Sequence, residues 1–243
     1  MSQTSEASIP PSRPVVAPRV GALVYDGIDQ IDLTGPFEVF ARLSDSSYRL
    51  YGKTTAPVRD AHGLVLRPDA DLGAAGELDV LHIPGGPGQE QLMDDAEVLG
   101  WITRHSERAR CVFSVCTGAL LLGAAGLLRG RRATTHWASV PLLPLFGAIV
   151  DEQRVVVDGH FVFAGGVTAG IDGALRVVAE LWGAQEAQRI QLAMQYAPEP
   201  PFQAGTPDHA PASVRDAVEA ELATITRRRE QTARRIGARL GVT

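Results

Sequence analysis

The sequence is poor in the features that mark several large classes of protein. It has only two cysteines in 243 residues, which gives no disulfide framework and is typical of a reduced, cytoplasmic protein. No apolar stretch approaches the ~18 residues that a membrane span needs. The formal net charge is −5, so the chain lacks the positive excess of nucleic-acid-binding proteins. We therefore expect neither a membrane nor a nucleic acid as a partner.

The sequence also lacks a metal-binding pattern and a secretory signal. Cys111 and Cys116 have no second pair of cysteines or histidines near them, so we expect no metal site. Residues 1–18 are rich in Ser and Pro and lack the charged-then-apolar order of a signal peptide, and we interpret them as a mobile arm. Residues 19–211 form the expected main domain. Residues 212–243 read as a basic helical extension that packs on the domain or on a second copy.

What the chain does have is 45% hydrophobic residues, placed in short apolar runs that alternate with helical patterns. The runs at 20–25, 78–83 and 111–115 predict buried strands, and their lack of polar alternation is typical of a sheet covered on both faces. Helices are predicted from Thr34, over 91–109, over 117–128 and from Thr168. A hairpin is predicted around Asp158-Gly159. This alternation predicts an α/β fold with a mostly parallel sheet and helices on both faces.

Cys116 stands in SVCTGAL, where a predicted strand meets a predicted helix. Ligands and catalytic groups of open α/β sheets gather at the carboxyl ends of strands, and a helix N-terminus favours the thiolate. We therefore expect Cys116 to be more reactive than an ordinary thiol, although a small buried side chain is an equally common role for cysteine. For Cys111, at the start of the same strand, the buried structural role is favoured.

Asp32 follows the first strand and is the candidate proton partner of Cys116, because loops after parallel strands collect at one edge. A carboxyl group beside a thiolate is pushed toward its protonated form, so it can donate and recover a proton. From local pattern alone, a helix-capping role for Asp32 is favoured.

The other candidates are weaker. Gly85 and Gly86 follow another strand and can aim backbone N–H groups at a ligand or simply form a turn. Thr168 opens a helix and either walls a pocket or starts that helix, and a packing role is favoured for His136.

Six segments together resemble the ThiJ/PfpI superfamily, whose domains are like class I glutamine amidotransferases. They occur in order over about residues 20–240 and read DLTGP, IPGG, SVCTGALLLGAAGLL, RATTHWA, TAGID and QLAMQYAPEPPFQAGTPDHAPASV. Three of these motifs also occur in amidase-like domains of transcription regulators. The segment from Tyr196 to Ala212 narrows the resemblance to the branch that hydrates isocyanides.

The resemblance implies a flavodoxin-like sandwich, a homodimer, and cofactor-free hydration of isocyanides to N-substituted formamides through a covalent thioimidate. It implies that Cys116 is the nucleophile, that Asp32 is its acid and base, and that Thr117 contacts bound water or substrate. Gly85 and Gly86 would line the pocket through their backbone, and Thr168 is our further candidate for substrate binding. Many relatives have His where this chain has Thr117 and Glu in the region of Asp32, which argues against peptidase, deglycase and chaperone functions.

Other function classes stay open at this point. One is a ligand-sensing domain of an arabinose-type transcription regulator, although the segment after Phe202 is too short for the usual pair of helix-turn-helix units. A second is a redox or stress sensor that uses oxidation of Cys116. A third is hydrolysis of another small carbon–nitrogen substrate by the same cysteine.

Overall fold

The computed structural model describes residues 17–242, so the predicted arm lies outside the described residues except for its last two positions. Short 3-10 helices occupy Leu72–Ala74 and Trp137–Phe146. The strands are β1 (Arg19–Leu23), β2 (Ser47–Gly52), β3 (Val58–Arg59), β4 (Val65–Leu66), β5 (Ala70–Asp71), β6 (Val80–Ile83), β7 (Cys111–Val115), β8 (Arg132–Ala133), β9 (Ile149–Val150), β10 (Val155–Asp158) and β11 (Phe161–Ala164). The helices are α1 (Gln30–Phe40), α2 (Gln89–Leu92), α3 (Ala96–Ser106), α4 (Gly118–Ala124), α5 (Ala169–Trp182), α6 (Ala184–Ala193) and α7 (Ala212–Arg239).

A seven-stranded sheet in the order β10-β11-β7-β6-β1-β2-β5 forms the centre of the molecule. Every neighbouring pair in it is parallel except β10 and β11, which form the antiparallel hairpin predicted around Asp158-Gly159. The predicted α/β class is confirmed, with the mostly parallel sheet that the uninterrupted apolar strands indicated.

Two apolar clusters cover the two faces of this sheet, which accounts for strands that are apolar on both sides. On one face α1, α5 and α6 contribute side chains such as Phe40, Val177 and Ile190. On the other face α3, α4 and α7 contribute side chains such as Trp101, Leu121 and Ile236. The predicted layers, with helices on both faces, are therefore present.

The first helix differs from its prediction at its start. It begins at Gln30 rather than Thr34, because the side chain of Asp29 caps it by accepting from the Ile31 N–H at 3.2 Å. The capping role that local pattern favoured for Asp32 is therefore wrong. Pro36 lies inside the helix and has no N–H to donate to the Asp32 carbonyl.

The long helix α7 packs against the 3-10 helix at 137–146 and against α4 of the same chain. Gly237 allows this approach, because a Cβ there would lie 2.2 Å from the Leu145 carbonyl oxygen. Ion pairs from Arg228 to Glu90, at 2.7 Å, and from Arg235 to Asp94 fasten it to the segment around α2. No helix within residues 17–242 is long and apolar enough to cross a membrane.

Candidate active site

Three adjacent strands of the sheet bring the predicted site residues together. β7, β6 and β1 are neighbours and run parallel, so their carboxyl ends meet at one edge. Cys116 follows β7 directly, Gly85 follows β6, and Asp32 lies in the first turn of the helix after β1. The topology thus places a thiol, a carboxyl group and a glycine turn within one small volume.

The backbone of Cys116 adopts a conformation that residues with a side chain rarely use. Its φ is +54°, in the left-handed region that costs a non-glycine residue of order 1 kcal/mol or more. Hydrogen bonds on both sides hold it there: its N–H donates to Ala164 O at 2.9 Å, and its carbonyl accepts from Thr135 Oγ1 at 2.7 Å. The side chain is therefore fixed at the junction of β7 and α4, with only 5% of the residue exposed.

Asp32 is fully buried beside this thiol. Its Oδ2 accepts a hydrogen bond from Gly85 N at 2.9 Å, and its carboxyl group lies close enough to the Cys116 side chain for each group to affect the pKa of the other. Oδ1 is buried and has no hydrogen-bond partner within residues 17–242. Burial raises the pKa of Asp32 well above its usual value, and the nearby carboxylate of Asp29 raises it further. A carboxyl group in this position keeps a proton more readily than an exposed one.

The pKa of the Cys116 thiol is also raised, which corrects the expectation of a lowered one. Burial is the largest cause, and the charge of Asp32 adds to it. The Thr117 N–H and the Arg229 guanidinium act in the opposite direction and lower this pKa. The helix that was expected to favour the thiolate, α4, is short and spans only Gly118–Ala124. Cys116 and Asp32 therefore form a coupled pair that holds on to protons, rather than an isolated low-pKa thiolate.

Thr117 and the two glycines form the wall beside this pair. The Gly86 N–H donates to Thr117 Oγ1 at 3.1 Å. At Gly85 a Cβ would lie 2.6 Å from Thr117 N and 2.8 Å from Asp32 Oδ2, so only glycine fits between them. Gly86 has a φ of +130°, which also requires glycine. The backbone of Gly85 and Gly86 thus contacts Thr117 and Asp32, two of the predicted catalytic residues.

Two other candidates have different surroundings. Thr168 is exposed just before α5, and its hydroxyl accepts from Arg154 Nη2 at 3.2 Å. Within residues 17–242 Thr168 makes no hydrogen bond with Cys116 or Asp32, so its substrate-binding role stays a prediction. Burial lowers the pKa of His136 to about 4, and the charge of Arg229 contributes, so this imidazole is neutral at pH 7.

The sequence interpretation missed Arg229, a buried cation from α7. Only 6% of this residue is exposed, and its charge interacts with Cys116 and Tyr25. In the sequence it is one of several arginines in RRREQTARRIGARL, and nothing there distinguishes it from its exposed neighbours. Only the packing of α7 shows which arginine turns inward.

The surroundings of the site hold few other features. A cavity of about 230 Å³ opens beside Tyr25, but neither Cys116 nor Asp32 lines it, and we do not assign it to the site. Across the part of the chain that the structure describes, no group of three His, Cys, Asp or Glu side chains is arranged to hold a metal ion.

Comparison with known proteins gives consistent results for sequence and fold. Residues 18–180 match the DJ-1/PfpI family. An isonitrile hydratase of Pseudomonas putida is 45% identical over 227 residues, which cover 93% of this chain and 100% of that protein. A ThiJ/PfpI family protein from Pseudomonas syringae has a crystal structure with a TM-score of 0.87 and 40% identity, covering 90% of this chain and 91% of that one. DJ-1β of Drosophila melanogaster shares the fold, with a TM-score of 0.68 and 20% identity. The match covers 75% of this chain and 100% of that chain.

Proposed function

Because this chain belongs to the DJ-1/PfpI family, we propose that within it the protein hydrates isocyanides, converting R–N≡C and water into an N-substituted formamide. The observation that carries the proposal is its 45% identity to an isonitrile hydratase over 93% of the chain, isonitrile being another name for isocyanide. The coupled thiol and carboxyl group of Cys116 and Asp32 supply the chemistry that such a hydro-lyase reaction needs. The reaction as written requires no metal or organic cofactor.

The first half of the reaction adds the thiol to the terminal isocyanide carbon. Asp32, as a carboxylate, takes the proton of Cys116, and the sulfur bonds to that carbon, which is electrophilic and also carries a lone pair. Asp32 then returns the proton to the same carbon. The product is the thioimidate R–N=CH–S–Cys116, and no atom is left over. Covalent catalysis of this kind divides one difficult step into two easier ones.

The second half adds water to the thioimidate. Asp32, again a carboxylate, takes a proton from water while the oxygen bonds to the carbon. When the tetrahedral adduct collapses, the carbon–sulfur bond breaks and the formamide leaves. The two protons of the water end on the formamide nitrogen and on the Cys116 sulfur, so the enzyme returns to its starting state.

Each neighbouring residue receives a role in this scheme. The positive φ of Cys116 supports a nucleophile elbow, which holds the sulfur toward the substrate. Thr117 is proposed to contact the attacking water or the substrate through its hydroxyl or amide. Gly85 and Gly86 are proposed to line the substrate pocket with their backbone, and Thr168 to contact the substrate at the start of α5.

We also propose that the protein acts as a homodimer in the bacterial cytoplasm. Ile31 and Phe37, on the helix that carries Asp32, are apolar yet 38% and 41% exposed, and a second copy would cover them. Both cysteines are free thiols, which suits a reducing compartment. Sedimentation analysis of the purified protein tests the dimer, and a single species with the mass of one chain contradicts it.

The rival functions have less support. A redox sensor works best with an exposed thiolate of low pKa, whereas Cys116 is buried and its thiol pKa is raised. A DNA-reading helix needs free basic side chains, whereas Arg228, Arg234 and Arg235 of α7 pair with acidic residues of the same chain.

The test is to mix the purified protein with cyclohexyl isocyanide and follow the formamide by chromatography. We expect saturable turnover that the Cys116→Ala variant lacks. If folded protein gives no formamide above the buffer rate from alkyl or aryl isocyanides, the proposed function is wrong.

A further inference from the structure

We propose that Arg229 is a positioning residue of this site, a buried counter-charge through which the helix α7 controls the anion formed at Cys116 and Asp32. The inference rests on the proposed function only in requiring that Cys116 react as an anion. It assigns the C-terminal helix a part in the chemistry, although that helix contributes no group that touches the reacting atoms.

The first support is that Arg229 is a buried cation without a carboxylate partner. An arginine stays protonated in proteins, and a buried charge is costly unless an opposite charge offsets it. Within residues 17–242 no carboxylate lies within salt-bridge distance of Arg229, and its hydrogen bonds go to the neutral groups Gln89 Oε1 at 3.2 Å and Gly86 O at 3.0 Å. Other arginines of α7, Arg228, Arg234 and Arg235, have their acidic partners. The opposite charge for Arg229 must therefore come from elsewhere.

The second support is where its charge acts. The favourable charge interactions of Arg229 are with Cys116, Tyr25 and Glu90, in that order. Glu90 is already occupied, since it accepts from Arg228 and from Thr232 Oγ1. Tyr25 is buried, its pKa is raised well above 10, and its hydroxyl donates to Pro84 O, so it is neutral at pH 7. The resting Cys116 thiol is neutral for the same reason as Tyr25, so the anion that Arg229 can offset is the thiolate that Cys116 forms during the proposed reaction.

The third support is the path of hydrogen bonds from Arg229 into the site. Arg229 Nη2 donates to Gly86 O, and the N–H of the same glycine donates to Thr117 Oγ1. The preceding residue, Gly85, donates its N–H to Asp32. The guanidinium therefore hydrogen-bonds to the glycine turn through the Gly86 carbonyl, and the N–H groups of the same turn hydrogen-bond to Thr117 and Asp32.

The charged groups around the thiol act in both directions. Asp32 and Asp29 raise the pKa of Cys116, whereas the Arg229 guanidinium lowers it. His136 also faces Arg229, but it is neutral at pH 7 because its pKa is lowered to about 4. Removal of Arg229 therefore leaves an acidic environment without its compensating charge.

The experiment compares Arg229→Met, Arg229→Gln and Arg229→Lys with the wild type, and uses Arg234→Met as the matched control. Arg234 lies on the same helix, is exposed and pairs with Glu230. The rate of Cys116 alkylation by iodoacetamide is measured against pH, with peptide mapping to identify the modified cysteine. Thermal melting shows that each variant is folded.

We expect alkylation of Cys116 to be about tenfold slower at a fixed pH near neutrality in Arg229→Met and Arg229→Gln, because their pH profiles move upward by about one unit. Arg229→Lys keeps the charge and stays within about threefold of the wild type, and Arg234→Met leaves the profile unchanged. If Arg229→Met does not fold, the Gln and Lys variants decide the question, since both retain hydrogen-bond donors and only Lys retains the charge.

The proposal is overturned if the Gln and Lys variants share one profile, or if folded Arg229→Met has the wild-type profile. Alkylation uses no isocyanide, so this outcome is independent of the substrate. Shifted alkylation together with a failure to hydrate isocyanides would leave the role of Arg229 intact and remove the proposed function. Hydration of isocyanides together with an unshifted alkylation profile in the Arg229 variants would support the proposed function and overturn the role of Arg229.

Discussion

The two cysteines of this chain stand at opposite ends of one strand and are buried in the same apolar cluster, but they differ in backbone conformation and in the polar groups around them. Cys111 begins β7, is fully buried, and packs in the apolar cluster of the α1 and α5 face. Its thiol pKa is raised by burial, and the charge of Glu180 raises it further. Cys116 follows the same strand, is nearly as buried, and faces the Asp32 carboxyl group, the Thr117 N–H and the Arg229 charge.

The comparison shows that burial alone does not distinguish a structural thiol from a candidate nucleophile. Burial raises the pKa of both thiols, so a lower pKa is not what marks Cys116. What marks it is a strained φ of +54° and a carboxyl group that can exchange a proton with the sulfur. The predictions below test whether these features separate the two cysteines in function.

The largest effect is expected from removing each thiol in turn. Cys116→Ala deletes the proposed nucleophile and should abolish hydration, whereas Cys111→Ala should keep kcat within a few-fold of the wild type and lose only stability, since it shortens a buried side chain. Steady-state formamide production and thermal melts of both variants check this. Equal activity of Cys116→Ala and Cys111→Ala would erase the distinction between the two thiols.

The next effect is that of the proton partner. Asp32→Asn keeps an oxygen for the Gly85 N–H but can no longer exchange a proton with Cys116, so kcat should fall by ~10²–10⁴-fold. Single-turnover formamide formation measures the loss. Glu180→Gln, which alters the charge near Cys111, serves as the control and should leave kcat unchanged. Full activity of the Asp32→Asn variant would show that the carboxyl group does no proton transfer.

A smaller effect is expected in the pH dependence. In the proposed mechanism the pair is active with one proton, and burial of Asp32 raises the pKa of its carboxyl group above the ordinary value. Hydration should therefore rise with pH through a midpoint well above 4, and Asp32→Asn should remove that acid limb from its residual activity. A wild-type midpoint at or below 4 would mean that Asp32 titrates as an exposed carboxyl group does.

Much of the fold was predictable because its strands are short apolar runs separated by polar and glycine-rich segments. The parallel sheet, the hairpin at Asp158-Gly159 and α5 follow from local pattern. The start of α1 was not predictable in the same way. Thr34-Gly35-Pro36 reads as a helix start in the sequence, but the side chain of Asp29 caps the helix, which therefore begins at Gln30.

The site was predictable only in part, because some of its properties depend on the packing of elements that are far apart in the sequence. Cys116, Asp32 and the glycines lie at the carboxyl ends of neighbouring parallel strands, so topology brings them together once the strand order is given. The raised pKa of the thiol depends on burial by several elements, and local pattern does not carry that information. Arg229 comes from a helix about a hundred residues later, and its inward position is decided by the packing of α7 on the 137–146 segment.

The most direct test is the mass of the protein quenched during turnover of cyclohexyl isocyanide. We predict a transient increase equal to the mass of one isocyanide molecule, mapped to the peptide at Cys116 and absent from Cys111, with a longer lifetime in any variant that slows attack by water. Formamide produced at the wild-type rate with no adduct on Cys116 at any quench time would contradict it.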